Sequence, residues 1–185
     1  MKTSVATVLA IALLAGGCSG YRPAPEAFHS ALNQPYRLGP GDRLRITVFE
    51  QDSLTNTYNV DPSGYIAFPL IGAVPARGHT LQEMEGAIAS RLRQGYLRDP
   101  DVSVEIEQYR PVFVMGEVGA AGQYSYVPGL TVQKAVAMAG GYTPRANQTS
   151  VDVTRDINGK VITGRVSTTD PLLPGDTIYV RERYF

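Results

Sequence analysis

The chain has 185 residues, with 17 basic side chains balanced by 17 acidic ones, two histidines, eleven tyrosines, no tryptophan and one cysteine. Balanced charge removes the long-range attraction on which nucleic acids and anionic lipid surfaces rely, so no nucleic-acid partner is expected. The single cysteine, Cys18, excludes an internal disulfide, and the length suits one domain or two small ones whose cores hold unaided.

The N-terminal segment has the pattern of a secretory signal. Lys2 precedes an apolar run over residues 5–15, broken only by Thr7, and Ala15-Gly16-Gly17 then leads to Cys18. The run is shorter than the roughly 20 residues a helix needs to cross about 30 Å of hydrocarbon. Leu14-Ala15-Gly16-Gly17-Cys18 resembles a bacterial lipobox, with its leucine one position further from the cysteine than in the commonest form. Residues 1–17 are therefore expected to be a lipoprotein signal peptide, and Cys18 the site of lipid attachment. Ser19 resembles an outer-membrane sorting signal, so the expected location is the outer membrane, lipid-anchored and facing the periplasm. Two or more acyl chains anchor durably, at about 0.8 kcal/mol per buried methylene. Residues 18–35 carry Pro23, Pro25 and Pro35 and few apolar side chains, which predicts a tether reaching roughly 50 Å when extended at about 3.1 Å per residue.

A first compact unit is expected over residues 36–109. It opens with the turn Leu38-Gly39-Pro40-Gly41-Asp42, followed by Leu44, Ile46 and Val48 alternating with polar residues, the period of a half-buried strand. A second strand near residues 58–60 meets Asp61-Pro62-Ser63-Gly64, the residue order of a type I turn, and residues 65–68 are predicted to return as its hairpin partner. Thr80 and Glu83 form a capping box ahead of Leu81, Met84, Ile88 and Leu92, one face of a helix that Gly95 ends. Val102, Val104 and Ile106 alternate again.

A second unit is expected over residues 110–185. Val112 and Val114 make a strand ending at Gly116, followed by a glycine-rich turn through Gly119 and Gly122 and a short strand at residues 124–127. Thr131 caps a short helix marked by Val132, Ala135, Val136 and Ala139, and Gly140-Gly141 stops it. Val151 and Val153 begin a strand, Asn158-Gly159 is a hairpin turn, and residues 178–180 form the last strand. The segment Leu172-Leu173-Pro174-Gly175-Asp176 repeats the turn at residues 38–42: Pro presets φ, Gly accepts positive φ and Asp bonds the backbone nearby.

Five stretches follow one another along the chain: Tyr36-Arg37-Leu38-Gly39-Pro40-Gly41-Asp42, Val60-Asp61-Pro62-Ser63-Gly64-Tyr65-Ile66-Ala67-Phe68-Pro69-Leu70-Ile71-Gly72, Val114-Met115-Gly116-Glu117-Val118, Ala139-Gly140-Gly141 and Pro174-Gly175-Asp176. In this order they resemble the outer-membrane polysaccharide export family, the Wza-like proteins. The resemblance implies an α+β chain: a small mixed-sheet polysaccharide-export domain followed by one soluble-ligand-binding β-grasp (SLBB) domain, ring-forming. It also implies a homo-oligomeric ring, commonly of eight subunits in the relatives, that conducts polysaccharide passively. Larger relatives add further β-grasp repeats and a C-terminal amphipathic helix lining an outer-membrane barrel. This chain shows one β-grasp unit ending near Phe185, and the expectation is a minimal periplasmic form. Such a form works with a separate outer-membrane pore protein and an inner-membrane polysaccharide copolymerase.

No catalytic, metal or cofactor constellation is expected. His29 and His79 have no ligand-spaced partners, Gly39 and Gly41 lack the third glycine and following helix of a dinucleotide fingerprint, and no phosphate-binding loop is present. Asp42 and Asp61 have the chemistry of a glycosidase pair, but both occupy turn positions that Asp fills for backbone reasons. Tyr65, Tyr124 and Tyr126 are candidate contacts to polymer or to a neighbouring subunit. The alternative to a conduit is a saccharide-binding or scaffolding envelope lipoprotein that forms no channel.

Overall fold

The computed structural model describes residues 24–183; the expected signal peptide, Cys18 and the last two residues lie outside the described residues. The chain is α+β, built as two units: the first holds a three-stranded sheet, a separate two-stranded one and a helix, and the second a five-stranded sheet with a helix on one face.

In the first unit, strand β1 (Arg43–Val48) buries every second residue and pairs antiparallel with β2 (Asn56–Asn59) and β5 (Val102–Gln108). Helix α2 (Leu81–Arg93) begins at Thr80, whose hydroxyl accepts the Glu83 N–H at 3.2 Å while the Glu83 carboxylate accepts the Thr80 N–H at 2.8 Å. Reciprocal capping of this kind contributes on the order of 1 kcal/mol. Its buried face, Met84, Ile88 and Leu92, closes over Leu44, Ile46 and Val48.

The hairpin expected between residues 58–60 and 65–68 is corrected. Strand β2 pairs with β1, placing Tyr58 opposite Leu44. Strand β3 (Tyr65–Phe68) pairs with β4 (Gly72–Pro75), a strand that residues 72–75 are too short and too small to announce by alternation. The Asp61 turn does close, with the Gly64 N–H donating to the Asp61 carbonyl at 2.9 Å and the Tyr65 N–H to the Asp61 carboxylate at 2.9 Å. Beyond it the Gly64 carbonyl accepts the N–H groups of Ala76 and Arg77, both at 2.8 Å. The ladder therefore forms with the chain that follows Gly72.

The second unit is a five-stranded mixed sheet in the order β7 (Gly122–Tyr124), β6 (Val112–Gly116), β10 (Thr177–Val180), β8 (Ser150–Ile157), β9 (Lys160–Ser167). Strands β6 and β10 run parallel at its centre and the other pairs are antiparallel. Helix α3 (Val132–Met138) lies on one face, starting at Thr131 and ending before Gly140 and Gly141, which have φ of 79° and 83°. Val132, Ala135 and Val136 pack there with Val112, Val114, Val151, Val153, Ile178 and Val180. Asn158 (φ 54°) and Gly159 (φ 80°) make the β8–β9 turn, the pair of left-handed residues that a two-residue hairpin uses.

Residues 24–33, placed by the sequence within an extended tether, are folded against this second unit. Helix α1 (Glu26–Ser30) and a 3-10 turn (Ala31–Asn33) carry Phe28 into its core, where the side chain is 2% exposed, and the Ala24 N–H donates to the Arg165 carbonyl at 3.1 Å. One aromatic side chain in a proline-rich stretch supplies the apolar area that docks it, about 1.5–3 kcal/mol for full burial.

Candidate functional site

The two repeated turns have the same internal geometry. In the first, the Asp42 N–H donates to the Gly39 carbonyl at 3.2 Å, and the Asp42 carboxylate accepts the Gly39 N–H at 2.8 Å. In the second, the Asp176 N–H donates to the Leu173 carbonyl at 3.1 Å, and its carboxylate accepts the Leu173 N–H at 2.7 Å. Both carboxylates are buried, at 0% and 1% exposure, and burying charge without a partner is costly. Each has an arginine.

Arg110 serves Asp42. Its backbone N–H donates to Asp42 Oδ1 at 2.8 Å, its Nη1 to Oδ2 at 3.3 Å, and its Nε to the Pro174 carbonyl of the second turn at 3.0 Å. One side chain thus joins the two turns, and with them the two units. Their glycines permit the approach: a Cβ on Gly39 would lie 2.1 Å from Arg110 Nη1, and one on Gly175, where φ is 88°, 2.8 Å from Nε. Gly41 and Pro40 complete the first turn, the Gly41 N–H donating to the Val60 carbonyl at 3.0 Å.

Arg155 serves Asp176 through two parallel bonds, Nε to Oδ1 at 2.9 Å and Nη2 to Oδ2 at 2.6 Å, the bidentate geometry of a strong pair. Its Nη1 donates to the Phe28 carbonyl at 2.8 Å, and the guanidinium lies 4.1 Å from the centre of the Phe28 ring. Burial pushes the Asp176 carboxyl upward, and the bonds from Arg155 oppose that shift.

In the crease between the units the structure brings three tyrosines together. Tyr36 and Tyr109 meet edge to face at 5.2 Å and 79°, and Tyr109 meets Tyr126 at 5.3 Å and 68°. The Tyr36 hydroxyl reaches both Asp42 oxygens, at 2.8 and 2.7 Å, and burial raises its pKa well above the ordinary value of 10.0, with Arg110 opposing and Asp42 reinforcing the shift. Burial also raises the Tyr126 phenol. The tyrosines form one wall of a cavity of about 520 Å³ whose other walls are Arg37, Arg77 and the 156–159 hairpin.

The remaining residues singled out in the sequence lie elsewhere. Asp61 is an exposed turn residue, and Gly64 is buried where a Cβ would stand 2.5 Å from the Arg77 Cβ. Gly116 ends β6, where a Cβ would lie 2.1 Å from the Val180 carbonyl oxygen. Gly140 and Gly141 lie against the loop at Gly119. Tyr65 is exposed on β3, and the Tyr124 hydroxyl donates to the Ala120 carbonyl at 2.6 Å, so of the three candidate tyrosines Tyr126 alone lines the crease. Asp42 accepts from Tyr36, Gly39 and Arg110, which makes it a structural carboxylate rather than one poised to take a substrate proton.

Sequence reasoning missed Arg110, Arg155 and Tyr109. A signal for Arg155 was present: it continues the core-facing alternation of Val151 and Val153, and a charge on that face needs a buried partner. Arg110 lies between strands, outside any periodic pattern.

Comparison with known proteins decides the family. Residues 30–107 match the family described as polysaccharide biosynthesis/export protein, and residues 111–166 match the SLBB domain. The chain belongs to the polysaccharide export family. Among its curated relatives it is 42% identical over 118 residues to the exopolysaccharide production protein ExoF of Rhizobium meliloti (strain 1021), covering 57% of this chain and 28% of ExoF. It is 32% identical over 149 residues to the EPS I polysaccharide export outer membrane protein EpsA of Ralstonia nicotianae, covering 65% of this chain and 39% of EpsA. It is 27% identical over 146 residues to the polysialic acid transport protein KpsD of Escherichia coli, covering 77% of this chain and 26% of KpsD. The chain thus spans between about a quarter and two fifths of the length of these relatives. The joint made by Arg110 lies at the boundary between the two matched segments of this export-family chain.

Proposed function

We propose that this chain is a lipid-anchored component of a polysaccharide export conduit, attached through Cys18 to the outer membrane and facing the periplasm, and that it conducts polymer without catalysing a reaction. The observation that carries the reading is the pair of matched segments in export-family order, fastened by Arg110 through bonds to Asp42 and to the Pro174 carbonyl. A conduit wall built from two units needs them fixed relative to one another, and this bridge supplies a fixed joint. The names of ExoF, EpsA and KpsD, which concern exopolysaccharide production, export and polysialic acid transport, support the same role.

The partners proposed with it are further copies of itself in a ring, an inner-membrane polysaccharide copolymerase, an outer-membrane pore protein and the polysaccharide cargo. Self-association is supported by the sheet face away from α3, where Phe113, Met115 and Tyr179 are 39%, 49% and 50% exposed on adjacent strands. Apolar side chains grouped in this way mark contact surfaces.

The test is deletion of the gene, followed by measurement of polymer released to the medium, with complementation by the full chain and by Cys18→Ser. Loss of release, restored by the full chain and poorly by Cys18→Ser, is the expected result. Unchanged release in the deletion strain would refute the export role.

A further inference from the structure

We infer that the crease between the two units is a binding site for an acidic oligosaccharide, with Tyr109 and Tyr126 contacting the sugar rings and Arg77 the carboxylate. This rests on the reading of the chain as a polysaccharide-handling protein and goes beyond it by assigning a place and a chemistry.

Size comes first. A cavity of about 520 Å³ lies within the range of roughly 300–1,000 Å³ typical of small-molecule sites, room for a short oligosaccharide segment. The chemistry of the wall comes second. Sugar rings present weakly apolar C–H faces rimmed by hydroxyls, and a phenol offers both an aromatic surface and a hydrogen-bonding tip. The Tyr36 hydroxyl is engaged by Asp42, whereas the hydroxyls of Tyr109 and Tyr126 have no hydrogen-bond partner among the described residues. The Tyr126 phenol, raised by burial, stays protonated and able to donate.

Charge decides between neutral and acidic sugars. Arg110 and Arg155 are neutralised by Asp42 and Asp176. Arg37 donates to the Gly78 carbonyl at 2.6 Å and lies 3.6 Å from Glu83. Arg77 lines the same cavity, is exposed, and has no carboxylate partner among the described residues. The one acidic side chain of the lining, Asp156, accepts the Gly159 N–H at 2.7 Å within its own hairpin turn. An unpaired guanidinium lining the same cavity as two unpaired phenols suits a sugar that carries a carboxylate.

The test uses the purified full chain and two probes of equal length, tetragalacturonate and neutral maltotetraose, followed by amide chemical shifts in NMR. The expected result is saturable shifts at residues 77, 109 and 126 with tetragalacturonate, and binding at least threefold weaker with maltotetraose. Tyr126→Ala should weaken tetragalacturonate binding by about fivefold. Arg77→Gln should remove the preference for the acidic probe while leaving the neutral one unchanged. Tyr126→Phe, which keeps the packed ring, guards against a folding defect and should show a smaller loss than Tyr126→Ala. Equal affinity for both probes, shifts located elsewhere, or no shifts at millimolar tetragalacturonate would overturn the assignment. The same strain tests the two readings apart: polymer release that depends on the chain, without binding in the crease, sinks the site alone, and release that does not depend on the chain sinks the export role.

Discussion

Asp42 and Arg110 meet where the two units join: the carboxylate is wholly buried, one oxygen takes the Arg110 backbone N–H at 2.8 Å, and the other takes its guanidinium at 3.3 Å. Both contacts cross from the first unit to the residue that opens the second. Asp42 also accepts from Gly39 and Tyr36, so a single carboxylate organises a turn, a ring and a domain joint.

Asp42→Ala should therefore destabilise strongly. It leaves the Gly39 and Arg110 N–H groups without their acceptor and Arg110 without its counter-charge, and breaking a buried pair in this way costs about 3–5 kcal/mol. Asp42→Asn keeps one acceptor oxygen and should cost less. Urea unfolding of the three proteins checks the order, and an Asp42→Ala protein within about 0.5 kcal/mol of the parent would contradict it.

The Arg155 and Asp176 pair should behave differently when both members change. Arg155→Met alone strands a buried carboxylate and should cost about 3–5 kcal/mol. Adding Asp176→Asn removes that charge while keeping an acceptor for the Leu173 N–H, so the double variant should lose less than the sum of the two single variants. A double-mutant cycle by chemical denaturation reads the coupling. Additive losses would mean that the two side chains do not depend on each other.

Much of this architecture is legible in the sequence because local rules and tertiary packing agree. Thr80 with Glu83, Asn158 with Gly159, and the alternation of Leu44, Ile46 and Val48 each specify one local structure, and the fold uses it. The pairing of β3 was not legible, because a turn with the right residues at 61–64 says nothing about which strand the chain then joins. The crease was only partly legible. Tyr126 entered as a candidate on residue type, but Tyr36 and Tyr109 stand at the two ends of the first unit's sequence and meet only through its fold, and only the packing of one unit on the other brings Tyr126 to Tyr109. Phe28 was hidden for a related reason: a lone aromatic in a proline-rich stretch has no periodicity to reveal which core receives it.

Tyr36 gives a pH-dependent prediction whose sign follows from its raised pKa. The folded state holds the phenol proton more tightly than the unfolded chain, whose ordinary value is 10.0. Stability from this group is fully present below pH 10 and declines as pH rises above it, because the unfolded state then gains by losing the proton. Tyr36→Phe should lower stability at neutral pH by removing the bonds to Asp42, and should flatten the decline above pH 10. Alkaline unfolding, with phenolate absorbance followed on the same samples, checks both. An equally steep alkaline decline in the variant would rule out Tyr36 as its source.

The last prediction concerns assembly. Strands β6 and β10 run in parallel register, with Met115 beside Tyr179 and Phe113 beside Thr177, so the exposed face of the sheet carries a compact apolar group at its centre. On the opposite face the same strands bury Val112, Val114, Ile178 and Val180, which hold the unit together whatever covers the outer side. Met115→Glu changes only the outer face, where surface substitutions usually stay within about 0.5 kcal/mol. The variant should keep the thermal midpoint of the parent protomer while its particles shrink in mass photometry, because a charge placed at the centre of a buried apolar contact has no partner. Tyr179→Glu should act in the same direction. Particles of unchanged mass in both variants would rule this face out as a contact between copies.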